Sequence, residues 1–211
     1  MDLIFFGMQG SGKGTLGKKI AEKYNMQIFE TGGELRKLAQ EDSELGKKVK
    51  SIIEAGNLVS NEVVMEIVEN FVNTIPPNTN VLFDGIPRKV EQANSLNALL
   101  DKHSRKYTGV LIDLTEEEAL RRLTTRRICK NCKETYPAFY DKPVCEKCNG
   151  ELVTRADDNV DAIKTRLEAY RVETVPAIEL YKNGMIKING MQTIEKVREE
   201  AFSKLAGTKL A

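Results

Sequence analysis

The chain is 211 residues long, 41% hydrophobic and 30% charged, with a formal net charge of +1. That length buries one substantial core with room for small inserted lobes, and the balanced charge creates no overall field that would select nucleic acid or an acidic surface. No apolar run approaches the ~20 residues that cross a bilayer, and the start of the chain lacks a basic segment followed by a long apolar one, so a soluble, cytoplasmic protein is expected.

An apolar run, Leu3-Ile4-Phe5-Phe6, leads into Gly7-Met8-Gln9-Gly10-Ser11-Gly12-Lys13-Gly14-Thr15, after which Leu16, Ile20 and Ala21 recur at helical spacing. Strand, glycine loop and helix form the context of a phosphate-binding loop. The glycines let successive N–H groups converge on one anion. The helix starting near Gly12 adds the positive end of its dipole, and Lys13 adds a full charge near the β- and γ-phosphates of a nucleotide. Gly10, Ser11, Gly12, Lys13, Gly14 and Thr15 are the expected phosphate contacts. The hydroxyl residue that usually follows the lysine comes one place later, at Thr15. This variant narrows the reading from any P-loop NTPase toward kinases of small phosphorylated acceptors.

Gln27-Ile28-Phe29 reads as a short strand, and Thr31 as the start of a helix through Leu35, Leu38 and Ala39. Ser43 is an N-cap for a helix carrying Leu45, Val49, Ile52 and Ile53, which Gly56 ends. Ser60 caps the next, through Val63, Val64, Ile67, Val68 and Phe71, and Pro76-Pro77-Asn78 breaks it. Val81-Leu82-Phe83 is a buried strand that delivers Asp84-Gly85 at its carboxyl end. A helix from about Lys89 to Leu100 follows, then a strand at Val110-Leu111-Ile112. The capping box Thr115-Glu116-Glu117-Glu118 opens another helix, to about Arg127. Residues 128–156 hold all four cysteines and little helical periodicity. Asp157-Asp158 is expected to open a long helix through Ile163, Leu167 and Tyr170, with a kink or break at Pro176. Ile186-Lys187-Ile188 is a last strand, and Thr193 to Leu205 a closing helix.

Strands alternating with helices imply an α/β fold, a parallel sheet flanked by helices with ligands at the strand carboxyl ends. Two segments interrupt the alternation: the all-helical 30–59 and the cysteine-bearing 127–158. Both read as lobes inserted into a single core made of 1–29, 60–126 and 159–211.

Cys129-x2-Cys132 and Cys145-x2-Cys148 are two knuckles, each able to offer two thiolates at ~2.3 Å to one tetrahedral Zn²⁺. Without an export signal, metal or free thiols come before disulfides. Four sulfurs close the coordination shell, so the metal, zinc or iron, would hold structure without activating water.

Asp84, at the end of a buried strand, is placed to orient Mg²⁺ through its waters opposite the glycine loop. Gly85-Ile86-Pro87-Arg88 is a turn that aims Arg88 across the sheet's edge. Arg122 and Arg126, four apart, share a helix face at the base of the cysteine lobe; Arg155 leaves that lobe and Arg166 lies on the next helix. Guanidinium groups match phosphate oxygens bidentately and keep their charge. Phosphoryl transfer needs little beyond positioning and charge neutralisation, so converging arginines are sufficient machinery.

With its Gly-Lys-Gly-Thr loop, the Asp84-Gly85-Ile86-Pro87-Arg88 turn and Arg155-Ala156-Asp157-Asp158 beyond the cysteines, the sequence resembles the adenylate kinases nearly end to end, specifically the long form with a zinc-bearing lid. The resemblance implies reversible transfer of the γ-phosphoryl of MgATP to AMP, giving two ADP. It makes 30–59 the lobe that clamps AMP, 127–158 the lid, and ATP, AMP and ADP the partners of a monomer, with no nucleic acid or membrane. Thr31, Arg36, the Asn57-Leu58-Val59 backbone, Gly85, Arg88 and Gln92 would line the AMP site, Gln92 reading the adenine edge. Arg126, Thr135, Tyr136 and Gln192 would face ATP. Arg122, Arg155 and Arg166 would gather round the transferred group, completing a catalytic set with Lys13, Arg88 and Arg126. Asp157 and Asp158 would act as hinge and charge partner for the arginines.

Three positions depart from the family pattern. Gln9 replaces a usual proline, Gly33 stands where an acidic residue is usual, and the interval between the cysteine pairs is short. One rival reading is a kinase of UMP, CMP or GMP. Another is a zinc-ribbon nucleic-acid binder, for which Lys130, Lys133, Lys142 and Lys147 supply charge; Glu134, Asp141, Glu146 and Glu151 dilute that patch, and no strip of exposed aromatics accompanies it.

Overall fold

The structure, a computed structural model, describes residues 1–155 and 157–208; Ala156, within the Arg155–Asp158 stretch, lies outside the described residues. The chain runs β1 (Asp2–Phe6), α1 (Lys13–Tyr24), β2 (Gln27–Glu30), α2 (Thr31–Leu38), α3 (Glu44–Glu54), α4 (Asn61–Thr74), β3 (Val81–Asp84), α5 (Val90–Lys102) and β4 (Tyr107–Asp113). It continues with α6 (Glu116–Thr125), β5 (Arg127–Cys129), β6 (Thr135–Tyr136), β7 (Leu152–Val153), α7 (Val160–Ala169), a π-helical turn (Tyr170–Thr174), α8 (Val175–Glu179), β8 (Ile186–Asn189) and α9 (Ile194–Leu205).

Every residue of β1 and β3 is buried, the pattern of strands covered on both faces of a parallel sheet. The five strands lie in the order β2-β3-β1-β4-β8, all neighbours parallel. Alternation along β1 sends Ile4 and Phe6 to one face and Leu3 and Phe5 to the other. The first pair joins a core with Phe29, Phe83, Val68, Leu96 and Ile178, drawn from α4, α5 and α8. The second packs with Leu16, Ile20, Ala201 and Leu205 of α1 and α9. Each fully buried side chain of this size contributes about 1.5–3 kcal/mol. Parallel pairing also brings all five carboxyl ends to one edge, where β1 runs into the glycine loop and β3 ends at Asp84.

The caps match the sequence unevenly. Ser43 Oγ accepts the Gly46 N–H at 2.9 Å and Thr115 Oγ1 that of Glu118 at 3.3 Å. The Glu118 carboxylate does not return to close the box, because Arg121 and Arg122 hold it. Ser60 sits at its N-cap position without a side-chain bond to the helix backbone. Asp157-Asp158 does not open α7: Asn159 is the cap, accepting from Ala162 N–H at 2.9 Å, while both aspartates are taken by arginines. The break expected at Pro176 takes the form of the π-helical turn, after which Pro176 lies in the first turn of α8, where its missing N–H costs least.

The cysteine segment, which shows little helical periodicity, forms a second sheet, antiparallel β6-β5-β7. Its strands are three, two and two residues long, too short to leave a periodic signature.

Candidate active site

The glycine loop turns on residues that only glycine suits. Gly7, Gly10 and Gly12 have φ of 146°, 85° and 91°, in the left-handed region that side chains strain. At Gly7 a Cβ would also stand 2.7 Å from Ile112 O. Lys13 folds back over the loop, donating to Gly7 O at 2.6 Å and Met8 O at 3.1 Å. Burial disfavours its ammonium and lowers the pKa to about 8, with Asp84 opposing and Arg88 and Arg126 reinforcing the shift. Ser11 Oγ and Gln9 Oε1 are buried without hydrogen-bond partners.

Asp84 is paired with Phe5 of β1 on one side and Glu30 of β2 on the other, so it stands at the mouth of the loop. Burial raises its pKa, and the nearby Lys13 charge works against that rise. Gly85, at φ 86°, brings Thr31 and Arg88 together: a Cβ there would lie 3.2 Å from Arg88 Nη2 and 3.5 Å from Thr31 Cβ. The Arg88 turn is closed by Arg88 Nε donating to Gly85 O at 3.0 Å and Arg88 N–H to Gln92 Oε1 at 2.9 Å. Thr174 Oγ1 ties the Arg88 carbonyl to the π-helical turn at 3.0 Å. Thr31 Oγ1 is buried and unpartnered. Gln9, Lys13, Gly85 and Arg88 line one cavity with Tyr170 and Thr174.

Arg126, Arg155 and Arg166 converge, and two carboxylates organise them. Asp158, 6% exposed, accepts from Arg126 Nε at 2.5 Å and Nη2 at 2.8 Å, and from Arg166 Nη2 at 2.8 Å. Burial alone would raise its pKa, but the bonds from Arg126 and Arg166 outweigh this and hold it below the usual range. Asp157 bridges Arg155 at 3.2 Å and Arg166 at 3.3 Å. Arg155 has its pKa lowered to about 10, first by burial and then by the charges of Arg126 and Arg36. Guanidiniums crowded to this degree form a site for a polyanion.

Other expected site residues have partners outside these two carboxylates. Arg122 donates to Glu118 Oε1 at 2.7 Å and to Gly190 O at 2.9 Å, which brings it to the turn that carries Gln192. The Gln192 amide itself bonds Glu200 at 2.5 Å. Arg36 bonds Glu30 at 2.9 Å. Asn57, Leu58 and Val59 follow Gly56, whose backbone touches Ala162: a Cβ there would be 2.5 Å from Ala162 O. The segment before α4 therefore abuts the start of α7. Tyr136 does not turn its side chain outward. Its hydroxyl lies 3.1 Å from Cys145 Sγ and accepts from Glu146 N–H, and its ring stacks on Tyr140 at 4.3 Å. Only its backbone and exposed Thr135 are left to meet a nucleotide.

The four cysteine sulfurs lie within 4.8 Å of one another. Cys129 and Cys145 are buried, Cys132 and Cys148 exposed. The donor set, four soft sulfurs at one point, fits a tetrahedral metal.

Sequence reasoning missed Glu30, Glu118 and Thr174. Glu118 had a signal, since a Glu four residues before an Arg is a favourable helical pair. Glu30 and Thr174 had none, because strand register and a π-helical turn place them.

Among the described residues no helix is long and apolar enough to cross a membrane. A sequence model of the adenylate kinase family matches residues 5–186. The chain is 39% identical to the adenylate kinase of Geobacillus sp. (strain WCH70) over 214 residues, which is 98% of this chain and 99% of that one. It is 36% identical to that of Geotalea daltonii, over 98% and 100% of the two chains. With the adenylate kinase of Archaeoglobus fulgidus it shares 37% identity over 95% of each.

Proposed function

The chain belongs to the adenylate kinase family, and from that premise we propose that it transfers the γ-phosphoryl group of MgATP reversibly to AMP, giving two ADP. The observation that carries the reading is the single edge at which a phosphate-binding loop, Asp84 and a cluster of arginines meet.

Two polyanions must come into line while water, a competing acceptor, is kept away. The loop N–H groups, Ser11 and Lys13 hold the β- and γ-phosphates of ATP, with Thr15 beside them; Lys13 exchanges its bonds to Gly7 O and Met8 O for phosphate oxygens. Asp84 would help to hold Mg²⁺ through water, and the ion would supply neutralisation of phosphate charge. Arg88, Arg155 and Arg166 face the AMP side, with Thr31, Arg36, Gly85 and the 57–59 backbone, and Gln92 reads the base. Arg122 and Arg126 face ATP. Asp157 and Asp158 keep the guanidiniums aligned before substrate arrives, so little reorganisation remains for the transition state.

Residues 30–59 close over AMP and 127–158 over ATP, moving against a core of 1–29, 60–126 and 159–211. Cys129, Cys132, Cys145 and Cys148 hold a structural Zn²⁺ that rigidifies a lobe too small to build its own core. Thiols kept free for metal suit a reducing cytoplasm, where the protein works as a monomer.

The test is ADP formation from MgATP with AMP, UMP, CMP and GMP offered separately. Strong preference for AMP is expected. Preference for another acceptor would overturn the role of Gln92, and no transfer to any would overturn the function.

A further inference from the structure

Glu30 ends β2 in register beside Asp84, and from that strand end its carboxylate binds a cation of α2. Its Oε1 accepts from Arg36 Nη2 at 2.9 Å. Its Oε2 lies 3.1 Å from where a Cβ on Gly33 would stand, so the absence of a side chain at residue 33 leaves the space that the carboxylate fills. The charge is felt beyond Arg36: it acts on Lys13, Asp84 and Arg88.

A negative charge there opposes the anions that the surrounding cations attract. Stability does not account for it, because the Arg36–Glu30 pair is 36% and 52% exposed and pairs of that exposure add little. Both partners of the carboxylate, Arg36 and Gly33, belong to α2, on the acceptor side. Asp84 stands between Glu30 and the glycine loop: it pairs with Glu30 across the strands, and its Oδ2 lies 3.7 Å from a Cβ built on Gly14.

We propose that Glu30 is an internal competitor for the acceptor's phosphate: it occupies Arg36 before substrate binds and thereby sets the affinity for AMP more strongly than that for ATP, because it bonds Arg36 directly and acts on Lys13 only as the weakest of the nearby charges. This rests on the reading of Arg36 as an AMP contact. The carboxylate is a positioning group that acts through Arg36 and takes no part in bond making.

The experiment is calorimetric titration of Glu30→Gln and Glu30→Asp with AMP and, separately, ATP, alongside steady-state kinetics. Removing one like charge at this distance should tighten AMP binding about three- to tenfold and lower KM for AMP more than KM for ATP. Raising the ionic strength from ~0.01 to ~1 M should shrink the difference, because it is a charge effect. Glu30→Asp keeps the charge and should bind AMP as the parent protein does. Unchanged or weaker AMP binding in Glu30→Gln would overturn the proposal, as would equal tightening for ATP or a difference that salt leaves intact. If the parent protein bound no AMP and made no ADP, the assigned reaction would fail instead, before any variant was compared.

Discussion

Lys18 on α1 donates to Glu134 of the cysteine lobe at 3.0 Å, across 116 residues of chain. Lys147 joins them at 2.8 Å from the other side. The lobe is thus latched onto the helix that follows the phosphate-binding loop. Burial would raise the Glu134 pKa, but the two lysine bonds hold it low.

The latch is half-exposed, so it contributes about 0–1 kcal/mol. Lys18→Ala should therefore increase the open fraction of the lobe by up to about fivefold, with little change in global stability. Fluorescence transfer between labels on α1 and the lobe would measure this. An unchanged open fraction would show that the Lys18–Glu134 pair does not hold the lobe to α1.

Lys13 carries the phosphate-binding loop, and Lys13→Met should nearly abolish phosphoryl transfer while the variant stays folded. A substantial rate in that variant would contradict its role.

The same residue predicts a proton effect. Its pKa in the folded protein is about 8, below the ~10.4 of an unfolded chain. Between those values the unfolded state binds more protons, so this group's contribution to stability rises with pH across that window. ATP brings negative charge that favours the ammonium. ATP binding near pH 8 should therefore take up protons, and ATP affinity should fall as pH rises through about 8. Calorimetry in buffers of different ionisation heat reads the uptake directly, and zero uptake would refute it.

Asp158 should show a dependence of the same sign in the acid range. Its folded pKa is depressed, so the stability it adds is fully present above the unfolded value of ~3.9 and is lost as pH falls through the lower folded one. Asp158→Asn leaves Arg126 and Arg166 without their shared carboxylate and should cost about 3–5 kcal/mol at pH 7. Denaturant unfolding should show the gap closing below about pH 4; a gap independent of pH would mean that packing, and not charge, is responsible.

Removing metal from the four cysteines should lower the melting temperature by at least about 5 °C and slow the reaction less at mild temperature, since the sulfurs lie in the lobe and not at the strand edge. Metal release is followed with a chromogenic chelator and melting by calorimetry. Unchanged melting after complete release would show that the sulfurs and the Tyr136 bond hold the lobe unaided.

The sheet was legible because its central strands hold apolar runs stopped by glycine or a charge, as at Leu3–Gly7 and Val81–Gly85. Those same stops mark the site, which is why Lys13, Asp84 and Arg88 could be named from the sequence. The strands of the cysteine lobe were not legible, because two residues carry no period. Asp157, Asp158 and Asn159 are all acceptable helix caps, and only the arginines arriving from α6 and α7 leave the task to Asn159. Glu30 looks like a surface acid at a strand end, and its importance comes from the register that sets it beside Asp84.

The π-helical turn at Tyr170–Thr174 makes length itself a constraint on this stretch. Such a turn holds one residue more than an α-helical turn, and one residue is about 100° of rotation. Upstream, Arg166 faces Asp157 and Asp158; downstream, Ala177 and Ile178 are buried against the sheet. Deleting one residue between them would tighten that turn to an α-helical one and swing one of those two faces away from its partners. Between Arg166 and Ile178 the chain should accept many substitutions and no insertion or deletion.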